Sequence, residues 1–129
     1  MLLVPARLGL SSIEGIGLFA TAFIPKGTIT WRFIAGFDQL FTVAQINGLP
    51  EPARGELQRY LYLDERSEKY IFCLDNARFM NHSEKPNTES VFPASDHFGH
   101  DVASRDIAAG EELTCDYREF DHDHARKVG

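Results

Sequence analysis

Hydrophobic and polar positions change their rhythm twice along the chain. In the first third, apolar residues come in the short runs VPARLGLSS, GIGLFAT and TITWRFI, cut by Gly15, Gly17, Pro25 and Gly27. Short β-prone runs between such breakers predict strands, with IPKGT as a tight turn between two of them. The period then lengthens. FTVAQINGLP offers Thr42 as a helix N-cap and Gly48 with Pro50 as a stop, and EPARGELQRYLYL resumes a helical spacing after Pro52. A helical insert is therefore expected over about 42–62. Beyond it, YIFCL, TESVF, HDVASRDI and ELTCDY return to strand character, RFMNHSEKPN reads as a turn-rich loop, and AAGEE as a tight turn. From about 118 the tail REFDHDHARKVG is polar, with one aromatic. No repeat, low-complexity tract or linker divides the sequence, so residues 1–129 are expected to form one β-rich domain.

Composition narrows the partners. A chain of 129 residues can bury roughly two thirds of its unfolded surface and needs neither a metal staple nor a disulfide framework. Cys73 and Cys115 lie in apolar stretches without CxxC or Cys/His ligand spacing, which predicts buried free thiols in a reducing compartment. MLLVPARLGL is interrupted by Pro5 and Arg7, too early for a secretory or membrane-spanning segment. The expected location is cytoplasmic, or nuclear in a eukaryote, with no membrane partner. A net charge of −6 argues against general affinity for nucleic acid and is compatible with a basic partner.

Candidate chemistry concentrates in RFMNHSEKPN, where hydrogen-bonding side chains stand directly behind an apolar run. Asn81, Ser83 and Asn87 are turn formers, and a surface connection closed by Asx-type turns accounts for them. Phe79 and Met80 follow YIFCL so closely, however, that the loop is expected to start inside the core. Buried amides and imidazoles must be satisfied, by backbone or by something bound. A pocket is the second reading.

Three separated segments sharpen it: EGIGLFATAFIPKGT, then RFMNHSEKPNTES, then RDIAAGEELTCDY. In that order and spacing they resemble the SET-domain family of protein lysine methyltransferases, over roughly residues 4–120. The most specific part is NHSEKPN followed about 25 residues later by GEELTCDY. The resemblance implies a SET-domain fold of several short antiparallel sheets with a C-terminal, pseudoknot-like threading. It also implies S-adenosylmethionine as cofactor and a lysine-containing basic protein or peptide, histone-like or ribosomal in character, as substrate.

By the same resemblance, backbone at Gly15, Ile16 and Gly17 approaches the methionine part of the cofactor, Asn81 and His82 contact its polar groups, and Phe79 packs near the adenine. Each role suits the residue type, since glycine lets backbone approach closely and an amide both donates and accepts. Tyr117 matches the family's catalytic tyrosine. Tyr60, preferred over Tyr62 in RYLYLDE, together with Cys115 and Phe120, is expected to wall the lysine channel, where aromatic faces hold an alkylammonium. Arg78 is expected at the surface.

Two departures from the family pattern carry information. Glu84 stands where many members place a zinc-binding cysteine after NHS, and no cysteine-rich tail follows, so no zinc is expected. Cys115 occupies a position usually held by Phe or Tyr and linked to the number of methyl groups added. Its smaller side chain predicts room for di- or trimethylation. A SET fold that binds cofactor or basic peptides without turnover is the main alternative. A metal site built from His97, His100, His122 and His124 is a weaker one, lacking a ligand-spacing signature. Glu111, Glu112, Asp116, Glu119, Asp121 and Asp123 form either a solvated face or a rim for a basic segment. A chain this short is also expected to gain from a homodimer that completes its substrate face.

Overall fold

The computed structural model describes residues 1–121. Strands β1 (Ala6–Leu10) and β2 (Ile16–Ala20) form an antiparallel hairpin with Leu8 opposite Leu18. Its connection is closed by the Ser11 hydroxyl, which accepts from the amides of Ile13 and Glu14 at 2.9 and 3.3 Å. Gly15 turns the chain at φ +48°, a left-handed conformation that glycine adopts without steric cost. Strand β3 (Ile29–Arg32) follows the IPKGT turn, where Gly27 also has positive φ and Thr28 bonds back to the Pro25 carbonyl.

Strand β4 (Gln39–Thr42) precedes the helical insert and is an element the hydrophobic pattern did not single out. Thr42 then caps helix α1 (Val43–Asn47) through a reciprocal box with Gln45, its hydroxyl accepting from the Gln45 amide at 3.1 Å while its own amide donates to Gln45 Oε1 at 2.8 Å. Each such cap satisfies donors that a helix start leaves unpaired. Helix α2 (Ala53–Gln58) ends earlier than the expected boundary. Tyr62 opens strand β5 (Tyr62–Asp64), because Tyr62, Leu63 and Asp64 pair with Ile71, Tyr70 and Lys69 of strand β6 (Lys69–Phe72).

The segment read as a loop contains a 3-10 turn (Asn76–Phe79) and a two-residue strand, β7 (Asn81–His82). Strands β8 (Thr88–Val91), β9 (His100–Ala103) and β10 (Glu112–Cys115) complete the set. They assemble into three small sheets, ordered β1-β2-β10-β7, β3-β9-β8 and β4-β6-β5. Among the described strands, every pairing is antiparallel except β7 with β10. One core gathers Leu18, Ala20, Ile24, Met80, Ile107 and Leu113; a second packs Ile46, Leu61 and Tyr70 beneath the helices.

The parallel pair accounts for the C-terminal threading. The stretch 81–88 wraps β10, with the Ser83 amide donating to the Cys115 carbonyl at 2.9 Å and the Thr88 hydroxyl to the Thr114 carbonyl at 2.7 Å. Asn87, 2% exposed, clamps the same strand. Its Nδ2 donates to the Glu112 carbonyl at 2.8 Å, and its Oδ1 accepts from the Thr114 amide at 2.9 Å. Asn87 is therefore a core residue that holds a strand, beyond the turn role read from its type.

Candidate active site

Where β2, β7 and β10 meet, two cavities share a wall. The larger, of about 420 Å3, is lined by Glu14, Gly15, Ile16, Tyr60, Phe79 and Asn81 among others. The narrower, of about 70 Å3, is lined by Trp31, Tyr62, Asp101, Cys115 and Phe120 among others. Arg59, Tyr60, Arg78, Met80 and Tyr117 border both. A single water needs about 10–15 Å3 of such space, so the narrow cavity takes a few waters or a short alkyl chain. The larger one falls within the range of small-molecule sites, roughly 300–1,000 Å3.

Tyr117 is fixed at the junction by contacts that include Met80 and His82. Its hydroxyl donates to the Met80 carbonyl at 2.8 Å, its amide donates to His82 Nδ1 at 3.0 Å, and its ring lies 5.3 Å from the His82 ring. Burial raises the phenol's pKa, with Cys115 and Glu14 adding to the effect. The group stays protonated at neutral pH and acts as a donor, not as a base.

The polar residues of the NHS segment find partners within the chain. Asn81 Nδ2 reaches the carbonyls of Glu14 and Ile16 at 3.1 and 3.3 Å and Glu112 Oε2 at 3.0 Å. It ties the glycine turn of β1–β2 to β10 while lining the larger cavity. His82 lines neither cavity; its side chain positions Tyr117 and lies 3.6 Å from Asp116 Oδ1. Gly17 is likewise outside the cavity lining. A Cβ there would collide with the Glu112 carboxylate, so this glycine makes room for Glu112. Gly15, Ile16, Phe79 and Asn81 are the expected cofactor residues that the fold brings to one cleft.

Glu112 is the organising residue that the sequence did not reveal. Both its carboxylate oxygens accept from Ser11 Oγ, at 2.8 and 2.9 Å, across 101 positions of chain. Gly17→Ala should displace it and release Asn81 and Ser11 together, with a stability loss of about 1–3 kcal/mol. A lowered urea midpoint at unchanged slope is the expected result; an unshifted midpoint would show that Glu112 relocates freely.

Aromatic rings form the wall of the narrow cavity. Trp31 meets Tyr62 edge-on at 6.4 Å, Tyr62 meets Phe120 at 5.0 Å, and Phe120 meets Tyr117 at 5.9 Å. Tyr60 borders the same space but turns its ring toward Phe79, at 5.3 Å. Tyr62, passed over in favour of Tyr60, is thus the more central tyrosine. Burial raises its pKa well above the ordinary phenol range. Cys115 is buried at the cavity wall, and Cys73 beside it is held protonated by burial and by Asp38. Arg78, expected at the surface, instead lies over Phe79 at 4.7 Å and donates to the carbonyls of Leu74 and Asp75 while bordering both cavities.

The acidic run is already engaged. Glu111 pairs with Arg105 at 2.9 Å, and that hydrogen bond, before the Ala108 amide, lowers its pKa. Asp116 is held low by Arg118, Glu119 accepts from the Ser90 amide, and Asp121 accepts from the Leu63 amide. These carboxylates anchor backbone and neighbouring arginines rather than forming an open rim; Asp123 lies outside the described residues. Of the four histidines weighed as ligands, His97 pairs with Asp64 and His100 with Asp96. His122 and His124 lie outside the described residues. No group of three or more metal-ligating side chains occurs among the described residues.

Comparison with known proteins bears on the family and the fold. The SET-domain family model matches residues 15–118. The protein-lysine N-trimethyltransferase SMYD5 of Danio rerio is 28% identical over 129 residues, covering 78% of this chain and 31% of its own length. Among solved structures, a humanized mutant of the Chaetomium thermophilum Polycomb Repressive Complex 2 superposes with a TM-score of 0.66 at 26% identity, covering 95% of this chain and 16% of that one. The ctPRC2 structure in an autoinhibited conformation, bound to S-adenosylmethionine, gives 0.67 at 23% identity over 97% of this chain and 16% of that one. The chain thus spans under a third of each of these relatives. With the family model covering most of its length, the chain belongs to the SET-domain family.

Proposed function

We propose that this chain is an S-adenosylmethionine-dependent methyltransferase that transfers methyl groups to a lysine side chain of a basic protein. The observation that carries this reading is the shared wall: Tyr117 borders both a cofactor-sized cleft and a narrow aromatic channel. The cleft's donor set fits the cofactor's chemistry. Arg59 and Arg78 offer guanidinium groups for a carboxylate, Phe79 and Tyr60 offer faces for a flat heterocycle, and the Gly15 turn has open space beside it where a side chain would project. When bound, the cofactor supplies an electrophilic methyl group on a positively charged sulfur.

Transfer to an amine is an in-line displacement, so the protein's task is alignment in a preorganised polar setting. Trp31, Tyr62 and Phe120 hold the alkyl chain and exclude water, and their faces attract its ammonium by about 0.5–2 kcal/mol. Tyr117, neutral and fixed by Met80 and His82, orients the reacting groups with its hydroxyl. The net charge of −6 favours a lysine-rich target over nucleic acid.

Incubating purified protein with methyl-labelled cofactor and a whole-cell extract tests the reading. Labelled lysine in one or a few proteins is the expected result. Calorimetric cofactor binding without any labelled protein would make the chain a binding module.

Cys115 sets a further expectation. The small thiol leaves room beside the amine, so mass spectrometry of the product should show di- or trimethylation, and Cys115→Tyr should shift it toward monomethylation. Strictly monomethylated product from the wild type would contradict this role.

A further inference from the structure

A carboxylate stands where the fold calls for an apolar side chain. On β9, Asp101 and Ala103 point to the same face, and Ala103 is part of the main core. Asp101 is flanked across the sheet by Trp31 of β3 and Ser90 of β8, and all three residues line the narrow cavity. Its Oδ1 accepts from the Ser90 hydroxyl at 3.0 Å. A charged group on the inward face of a central strand costs stability unless it is paired, and a space of about 70 Å3 keeps whatever enters it close to every wall.

We propose that Asp101 is the counter-charge of the aromatic channel: it pairs with the ammonium of the incoming alkylamine and takes its proton, leaving a neutral amine. This deepens the methyltransfer reading and rests on it for the later step. The balance is simple. The ammonium N–H bond breaks, its proton passes to an Asp101 carboxylate oxygen, and the freed nitrogen lone pair forms the N–C bond as the methyl's C–S pair returns to sulfur.

The electrostatic setting agrees. Burial pushes the Asp101 carboxyl up to about 7, while its bond from Ser90 lowers it. Glu119, in the 3-10 turn Tyr117–Glu119, raises it, and His100 on its own strand and the N-terminal ammonium lower it. Asp64, Tyr62 and Cys73 face the same cavity from the β4-β6-β5 sheet side, Tyr117 and Cys115 from the β10 side, and Arg59, Tyr60 and Arg78 from its border with the larger cleft. Tyr62, Tyr117 and Cys73 stay protonated at neutral pH through burial. Asp64 already accepts from the Ser67 amide at 2.8 Å and lies 3.7 Å from His97. Asp101 is therefore the carboxyl placed to exchange a proton near neutrality.

The test uses n-butylammonium as a lysine side-chain probe and n-butanol as its uncharged counterpart, titrated into wild type, Asp101→Asn and Asp101→Glu. The wild type should prefer the ammonium, with affinity rising from about pH 6 to about pH 8 as the carboxylate forms. Asp101→Asn should lose about tenfold in ammonium affinity, with its pH dependence flattened and n-butanol binding unchanged. Asp101→Glu should recover part of the preference. Unchanged n-butanol binding also verifies that the Asn variant is folded. Equal ammonium binding by wild type and Asp101→Asn would overturn the inference, as would a wild type that binds neither probe. Labelled lysine in the extract experiment with unaltered ammonium preference in Asp101→Asn removes Asp101's role and leaves methyl transfer standing. Ammonium preference that depends on Asp101, without labelled protein, does the reverse.

Discussion

Tyr117→Phe should bind S-adenosylmethionine as the wild type does and lose about 100- to 1,000-fold in turnover, the range found when one preorganised hydrogen-bonding group is removed from an active site. The substitution deletes only the hydroxyl. The amide bond to His82 Nδ1 and the ring contacts to His82 and Phe120 do not involve that oxygen, so the aromatic wall should persist. What goes is the bond to the Met80 carbonyl, with a stability cost of about 1 kcal/mol. Calorimetric cofactor titration beside single-turnover methyl transfer separates the two effects. Because burial keeps this phenol protonated at neutral pH, the loss should be independent of pH there. Full activity in the variant would end the proposed role.

The position of Tyr117 was legible because the family pattern concentrates in contiguous words. GEELTCDY places the tyrosine two residues beyond Cys115; β10 ends at Cys115 and the 3-10 turn Tyr117–Glu119 follows at once, so both residues reach the channel. That Gly15, Ile16, Phe79 and Asn81 reach one cleft has the same source: each lies inside a short motif whose local turn or strand fixes its direction. The strands of the first third were marked by glycines and Pro25 and formed largely where expected. The helical insert was marked by Thr42, and its capping box is local in sequence.

Other features depend on pairings that no local window contains. Ser11 meets Glu112 across 101 positions, and nothing in GEEL distinguishes Glu112, which turns inward, from Glu111, which pairs with Arg105. Tyr60 and Tyr62 looked alike in RYLYLDE because their difference arises only when β5 pairs with β6 and aims Tyr62 at Phe120. His82, expected to contact cofactor polar groups, accepts the Tyr117 amide through its side chain, a placement made by the parallel β7–β10 pair. Asp101 sat unnoticed in HDVASRDI because a strand's inward face is knowable only once its sheet is placed. Asn87 belongs to this group too, and it carries the largest expected effect on stability.

Asn87→Ala should destabilise the fold by about 2–5 kcal/mol. The side chain is almost wholly buried and bridges two backbone groups of β10, the Glu112 carbonyl and the Thr114 amide. Truncation leaves both without these partners in a place too enclosed for easy hydration, and each such group costs about 1–3 kcal/mol. The Asn87 amide bond to Thr114 Oγ1 at 3.2 Å survives the change and keeps the loss from being larger. Domains of this size have about 5–15 kcal/mol in total, so a drop in urea midpoint at unchanged slope should be plain. Asn87→Asp provides the control of mechanism: it retains an acceptor for the Thr114 amide but sets a carboxylate oxygen against the Glu112 carbonyl, and should also be destabilised. Since β10 leads directly to Cys115 and Tyr117, turnover should fall in the folded fraction of Asn87→Ala as well, with cofactor affinity less affected. A midpoint within experimental error of the wild type would mean that 81–88 does not clamp β10, and that the threading holding Tyr117 between the two cavities has another source.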